Sequence, residues 1–393
     1  MHTSRVVKRL STLILMVDGV LLGRDHLVIA EVAQAHDGEI AVVHELIDAA
    51  ARAGAHAVKF QTHIADEEST EREPWRVKFS TRDSSRKEYW RRMEFSAAQW
   101  REIKAHCVSA GVEFMSSPFS PAAVELLLEV GVRVWKIASG EVSNSQILGC
   151  VRESGLPVIL SSGLSTLDDL DVAVREVGRK SAQLAVLQCA TQYPTPAREV
   201  GLNVLGQIRS RFDCVVGISD HSATPYPSFA AAALGAQIFE THLRLDDDHT
   251  GPDASSSLTE TQLSELVRGV AFIRQSLASP VDKTTLSDHQ AHLRSVFGRS
   301  LVASRDLRAG DLLSEADLAY KKPGGGLMFG ASEKVIGRRL RRSLMKDEEL
   351  RLDDLEEPRG GRCAWSSRRV RVIAAFDQSC LRFATAPTSS YRL

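Results

Sequence analysis

From residue 27 to about 278 the chain repeats one pattern: a short run of apolar and β-branched residues, then a stretch with helical period. The runs are LVIAEVA (27–33), AVKFQT (57–62), EFMSSP (113–118), VWKIAS (134–139), PVILSSG (157–163), LAVLQCA (184–190), VVGISDH (215–221) and QIFETHL (237–243). Between most of them lie helical patterns such as AVVHELIDAAARAG, SAAQWREIKAHCVSAG and SPAAVELLLEVG. Several of these stop at glycine, which closes a helix most readily. Apolar strands alternating with helices predict a parallel sheet covered on both faces. Eight such units in about 250 residues predict an α/β protein, a closed (β/α)8 TIM barrel. A doubly wound open sheet is the alternative. Its glycine-rich nucleotide loop is missing, because the first strand runs into EVAQAHDGEI.

The ends of the chain break the pattern. LILMVDGVLLG predicts two short strands around an Asp18-Gly19 turn, within an N-terminal extension over 1–26. That extension begins basic and apolar, but Asp18-Gly19 interrupts the run and no small-residue cleavage site follows, so secretion is not expected. The barrel is expected over 27–278 and a polar connector over 279–297. A small β-rich module, 298–357, follows, and a basic tail over 358–393 is expected to be disordered.

Composition adds little. The chain has 393 residues, 43% hydrophobic and 25% charged, with a net charge of −1, so no global field favours nucleic acid or a membrane surface. Its six cysteines show no CxxC spacing, which points to reduced thiols and a cytoplasmic protein. No run of eighteen apolar residues occurs.

The polar residues are more telling, because they gather at the C-terminal ends of the strands: Glu31; Lys59 and Gln61; Ser116 and Ser117; Lys136 and Ser139; Ser161 and Ser162; Gln188 and Thr191; Ser219 and His221; Glu240 and His242. In a barrel these ends converge on one mouth, where catalytic groups sit. Lys59 and Lys136 can hold a phosphate and a carboxylate; one of them could instead form a Schiff base, or both could be paired with Glu31 or Glu141. His221 and His242 end consecutive strands, about 5 Å apart in strand spacing. They can share a divalent ion with open positions, or work as a general acid and base. Asp220 and Glu240 are expected to fix the imidazole tautomers. Tyr193 and Asp253 lie on loops placed to meet a polyol substrate.

These residues sit in stretches that resemble the sialic acid synthase family, makers of nonulosonic acids. The stretches are IAEVAQAHDG, GAHAVKFQTH, FMSSPFS, VWKIASGE, VILSSGLST, QCATQYPTP, VGISDHS, ALGAQIFETH and GPDASSSL, in order over about 27–260. The segment SLVASRDLRAGDLLSEADLAYKKPGGG resembles that family's antifreeze-like (SAF) domain. The resemblance implies a transferase that condenses phosphoenolpyruvate with an N-acyl hexosamine such as N-acetylmannosamine. It implies phosphoenolpyruvate binding by Lys59, Ser117, Lys136, Ser139, Ser161, Thr191 and Ser219, and sugar binding by Glu31, Gln61, Tyr193 and Asp253. It implies a divalent ion on His221 and His242, manganese first, with magnesium or cobalt as alternatives, and Glu141 near the reacting carbons. It also implies a domain-swapped homodimer in which Lys322 reaches the partner's mouth, where relatives often carry arginine. QAHDG and Thr191 also depart from the family pattern. Legionaminic- or pseudaminic-type synthases, an octulosonate-phosphate-like synthase, a Schiff-base lyase and a sugar-binding module are the other expectations.

Overall fold

Every one of the eight apolar runs forms a strand: β1 Leu27–Glu31, β2 Ala57–Thr62, β3 Glu113–Pro118, β4 Trp135–Ile137, β5 Val158–Ser161, β6 Leu184–Cys189, β7 Val215–Asp220 and β8 Ile238–His242. They pair in parallel in the ring order β8-β1-β2-β3-β4-β5-β6-β7, a closed barrel rather than an open sheet. This computed structural model describes residues 16–17, 20–21, 26–75, 82–178, 183–246, 251–328 and 330–357. Met16–Val17 pairs antiparallel with Val20–Leu21, the short hairpin expected around Asp18-Gly19. The tail over 358–393 lies outside the described residues.

Strand side chains alternate in direction, so each strand contributes two sets. Val28, Val58, Phe60, Leu160, Val186 and Ile218 belong to the large core beneath the helices. Leu27, Ile29, Ala57, Met115, Val134, Ile159, Leu187 and Ile238 pack against one another as a separate cluster inside the ring. This plug leaves no room at Gly217, where a β-carbon would meet Ile238 O at 2.3 Å and Leu187 Cδ2 at 2.6 Å.

The covering helices start and stop where their sequences say. Ala97–Ala110 opens with a Ser96–Gln99 capping box and ends at Gly111, whose φ of 77° suits glycine. Pro121–Val130 has Ser120 as cap and proline in its first turn. The β7–β8 crossover is the helix Tyr226–Ala233.

One connection is longer than a barrel needs. Between β2 and the helix Ala97–Ala110 the chain inserts two further helices, Ala65–Glu68 and Arg86–Met93. Arg92 anchors this insertion: its guanidinium donates to both Asp83 carboxylate oxygens, at 3.0 and 2.7 Å, and to the Asp37 backbone carbonyl at 2.9 Å.

The chain divides into two compact units, Met1–Pro280 and Val281–Leu393. The segment read as a polar connector carries a helix, Asp288–Phe297, opened by a Ser287–Gln290 capping box. In the second unit β9, Ser300–Ala303, pairs antiparallel with β10, Leu318–Lys321. Its core is aliphatic, built from Leu301, Leu307, Leu313, Val335, Leu340, Leu344, Leu350 and Leu355. No helix among the described residues is long and apolar enough to cross a membrane.

Candidate active site

Counting two residues at a time past the plug gives the inward positions above it: Glu31, Lys59, Gln61, Ser117, Lys136, Ser161, Cys189, Ser219, Glu240, His242 and, just beyond β7, His221. Alternation also removes two residues from the expected mouth. Ser116 faces the helices, where its hydroxyl meets Thr62 Oγ1 at 2.7 Å. Gln188 shares the outward parity of Val186; it donates to Val200 O at 3.1 Å and accepts from Ser162 Oγ at 3.2 Å.

The two lysines are 3% and 2% exposed, so they must be paired. Lys59 Nζ lies 2.5 Å from Glu31 Oε2 and 3.8 Å from Glu240 Oε1. Lys136 Nζ lies 3.4 Å from the same Glu240 oxygen and donates to Ser161 Oγ at 2.7 Å. Glu240 therefore bridges both ammoniums, and Ser219 Oγ donates to it at 2.9 Å. The two cations respond differently. Burial pulls Lys59 down, but Glu240 and Glu31 outweigh it, and its pKa ends above the ordinary value. Burial, reinforced by repulsion from Lys59, leaves Lys136 below its ordinary value despite Glu240. An ammonium has three donors, so Lys59, in contact with two carboxylates, keeps capacity for an incoming anion. Ser117 Oγ is buried there without a hydrogen-bond partner among the described residues. Close by, a β-carbon on Gly163 would stand 2.8 Å from Thr191 Cγ2, 2.9 Å from Ser139 Cβ and 3.1 Å from Cys189 Sγ. Only glycine lets three strand ends close around that point.

His221 and His242 do come together, with ring centroids 5.2 Å apart. His221 Nδ1 faces Ala190 O at 2.8 Å. A carbonyl only accepts, so Nδ1 carries the hydrogen and Nε2 keeps its lone pair, 2.9 Å from Tyr193 Oη. Burial, then the neighbouring His242, pushes the His221 pKa down to about 3, and the ring stays neutral. Tyr193 stacks on His221 at 4.0 Å and turns its edge to His242 at 5.9 Å. Asp253 Oδ2 lies 3.9 Å from His242 Nδ1. The expected tautomer-fixing carboxylates have other work. Glu240 serves the lysines, and Asp220 accepts from Ser222 N at 3.2 Å and Ser222 Oγ at 2.7 Å. A backbone carbonyl does that task for His221, because the loop after β6 brings it to the ring.

Above this layer opens a cavity of about 680 Å3. Gln61, Ser139, Glu141, Tyr193, His242 and Asp253 line it, as does a set absent from the sequence reading: His63, Glu67, Glu68, Glu73, Trp75, Arg86, Tyr89 and Trp90 of the insertion, with Gln34 and Phe119. Glu141 is not paired with the lysines but accepts from Asn144 Nδ2 at 2.9 Å. Burial lifts its carboxyl above the ordinary range, and the Glu68 charge adds to the lift. His63 is sandwiched between Trp90 at 4.2 Å and Phe119 at 4.5 Å. It joins the two layers: Nδ1 meets Glu68 Oε1 at 2.6 Å and Nε2 meets Gln61 Oε1 at 3.3 Å, while Gln61 Nε2 donates to Glu31 Oε1 at 2.9 Å. Glu31, Lys59, Ser117, Lys136, Ser161, Ser219 and His221 are buried rather than lining this space, and Thr191 is exposed. Lys322 belongs to the second unit, just past β10, with its ammonium 5.7 Å from the Phe297 ring centroid. The insertion's length and its load of Trp, Tyr, Arg and Glu were the available signal, since loops at this end of a barrel carry function.

The profile of the NeuB family matches residues 46–282, the greater part of the chain. The chain belongs to the NeuB family. A SAF domain follows at 298–356. This NeuB chain is 31% identical to the N,N'-diacetyllegionaminic acid synthase of Campylobacter jejuni, over 83% of its own length and 98% of that protein. It is 32% identical to the N-acetylneuraminate-9-phosphate synthase of Homo sapiens, over 75% of its length and 82% of that protein. Among solved structures, the N-acetylneuraminic acid (sialic acid) synthetase of Leptospira borgpetersenii aligns with a TM-score of 0.61 at 26% identity, covering 71% of this chain and 94% of that one. The relatives are acid-forming synthases, and this NeuB chain is an enzyme.

Proposed function

We propose that this enzyme condenses phosphoenolpyruvate with the open-chain aldehyde of an N-acyl hexosamine, giving a nonulosonic acid and inorganic phosphate. The observation that carries this reading is the stacking of two layers: a buried lysine–serine floor beside two buried imidazoles, under a cavity that would hold a sugar. Lys59, Lys136, Ser117, Ser139, Ser161, Thr191 and Ser219 would hold the phosphate and carboxylate of phosphoenolpyruvate. Burial strengthens such charged hydrogen bonds. Glu31 and Glu240 keep the two ammoniums in place before the anion arrives.

His221 and His242 suit a divalent ion, Mn2+ foremost. Both are buried and close together, and the Ala190 carbonyl turns the His221 Nε2 lone pair toward Tyr193 Oη, whose hydroxyl an ion would displace. The two imidazoles would be the protein's donors; among the described residues no group of three or more His, Cys, Asp or Glu side chains could hold a metal. That leaves open positions, as in catalytic rather than structural sites. When bound, the ion would supply Lewis acidity toward the aldehyde oxygen.

The bond made joins C3 of phosphoenolpyruvate to the aldehyde carbon. Water adds its hydroxyl to C2 and its proton to the former aldehyde oxygen. The C2–O bond to phosphate then breaks, the C2 hydroxyl gives its proton to the departing phosphate, and C2 becomes the ketone. Glu141, held near the cavity with a raised pKa, is placed to take and return the proton of that water. Orienting two substrates at once is a large share of the task. The test offers the full chain phosphoenolpyruvate, Mn2+ and each amino sugar in turn. Phosphate release with a 2-keto acid of the summed mass is the expected result; release of pyruvate without carbon–carbon bond formation would overturn the reading. A Schiff-base lyase draws support from the lowered Lys136 pKa. Borohydride trapping with pyruvate separates the two, and condensation predicts no adduct.

A further inference from the structure

The outer cavity wall holds an acceptor that nothing among the described residues satisfies. Glu68 lines the cavity with its side chain only 8% exposed. One oxygen, Oε1, meets His63 Nδ1; the other, Oε2, is buried and has no hydrogen-bond partner among the described residues. A buried acceptor left unpaired costs free energy, so its partner belongs to whatever fills the space. A carboxylate oxygen only accepts, so that partner must be a donor, a hydroxyl or an amide N–H. The surroundings agree. Of the described lining residues, Glu67, Glu68, Glu73, Glu141 and Asp253 are acidic, whereas Arg86 is the one cationic arginine or lysine, with its Nε 3.1 Å from Glu73 Oε1. In the ring β2 stands diametrically opposite β6, which leads to Tyr193, and lies three strands from β7, which leads to His221, and two from β8, which ends at His242. A sugar whose aldehyde lies by His221 and the Tyr193 ring stacked on it would extend its far end across the cavity toward the insertion that follows β2.

We propose that Glu68 is a specificity-determining residue: its free oxygen accepts a hydrogen bond from a hydroxyl or N-acylamino group at the far end of the acceptor sugar, and it rejects a phosphate there. This rests on the function proposed above and narrows the acceptor to an unphosphorylated amino sugar. A phosphate ester at that end brings only acceptor oxygens and negative charge to a carboxylate wall. A polar site left without its partner discriminates more strongly than an apolar one.

Equilibrium binding tests it on the full chain, read by quenching of the tryptophan fluorescence that Trp75 and Trp90 contribute beside the cavity. The probes are N-acetylmannosamine and its 6-phosphate. The wild type should bind the unphosphorylated sugar tighter by roughly tenfold or more. Glu68→Gln should shrink that preference by about tenfold, while phosphoenolpyruvate binding and the circular dichroism spectrum stay unchanged. A preference for the 6-phosphate, with condensation intact, overturns the role of Glu68 alone. An unchanged ratio in a folded Glu68→Gln variant does the same. Binding of neither sugar, with no phosphate released from phosphoenolpyruvate, overturns both this role and the function on which it rests.

Discussion

The floor and the wall of the cavity are built by opposite means. In the floor, Lys59, Lys136, Glu31 and Glu240 stand on strands, and neighbouring strands fix their register: Glu31 pairs with Lys59 across β1 and β2, and Glu240 with Ser219 across β7 and β8. Their positions follow from backbone hydrogen bonds. In the wall, His63, Glu68, Glu73 and Trp90 come from an inserted segment. That segment owes its place to side chains, chiefly Arg92 on Asp83 and Asp37, and to the ring sandwich around His63. On the proposed function, the part that handles the reaction common to all acceptors stands on the strands. The part proposed to choose the sugar stands on the inserted segment, as loops at this end of a barrel often do.

The sharpest break is His242→Ala. On the proposed function it should lower turnover by about a thousandfold or more, with the circular dichroism spectrum kept, since a developing oxyanion loses its principal support. An active variant whose rate ignores added Mn2+ would detach the imidazoles from the chemistry.

Second, Lys136→Ala should damage the floor as a structure. It removes one counter-ion of the buried Glu240. The expected cost is about 3 kcal/mol in urea unfolding, because the buried Glu31 and Glu240 are then left with Lys59 as their one ammonium. The Michaelis constant for phosphoenolpyruvate should rise with it. An equal change in the wall, Trp90→Ala, should leave that constant alone and raise the acceptor's by about tenfold, through lost ring contact.

The smallest effect concerns pH. Burial raises the Glu141 carboxyl above its ordinary value of 4.5. A raised acid pKa means the folded state holds its proton longer than the unfolded one, so stability falls as pH climbs from 4.5 through the folded value. Below that window both states are protonated and the penalty is absent. Glu141→Gln should therefore raise the melting temperature slightly at pH 7 and leave it unchanged near pH 4. A shift of equal size at both would show that Glu141 acts through packing and not through charge.

Much of this molecule could be read from one dimension. Eight apolar runs separated by helical patterns are enough for a parallel barrel. A period of two then sends Lys59, Lys136, Glu240 and His242 inward, because strand geometry leaves no other choice. The same rule, applied strictly, would have sent Ser116 and Gln188 outward beneath the helices. The wall was not legible, since residues 63–96 carry no single period and their helices are too short for one to emerge.

What the sequence determined by itself is therefore the barrel, the inward lysines and the meeting of two histidines one βα unit apart. Only the tertiary structure decided the partners: that Glu240 serves the lysines rather than the imidazoles, that the Ala190 carbonyl fixes the His221 tautomer, and that Glu68 reaches the cavity with one oxygen free. Direction along a strand is set locally by the backbone. Pairing depends on which elements are brought within hydrogen-bond reach, and residues far apart in the chain meet only when the barrel closes.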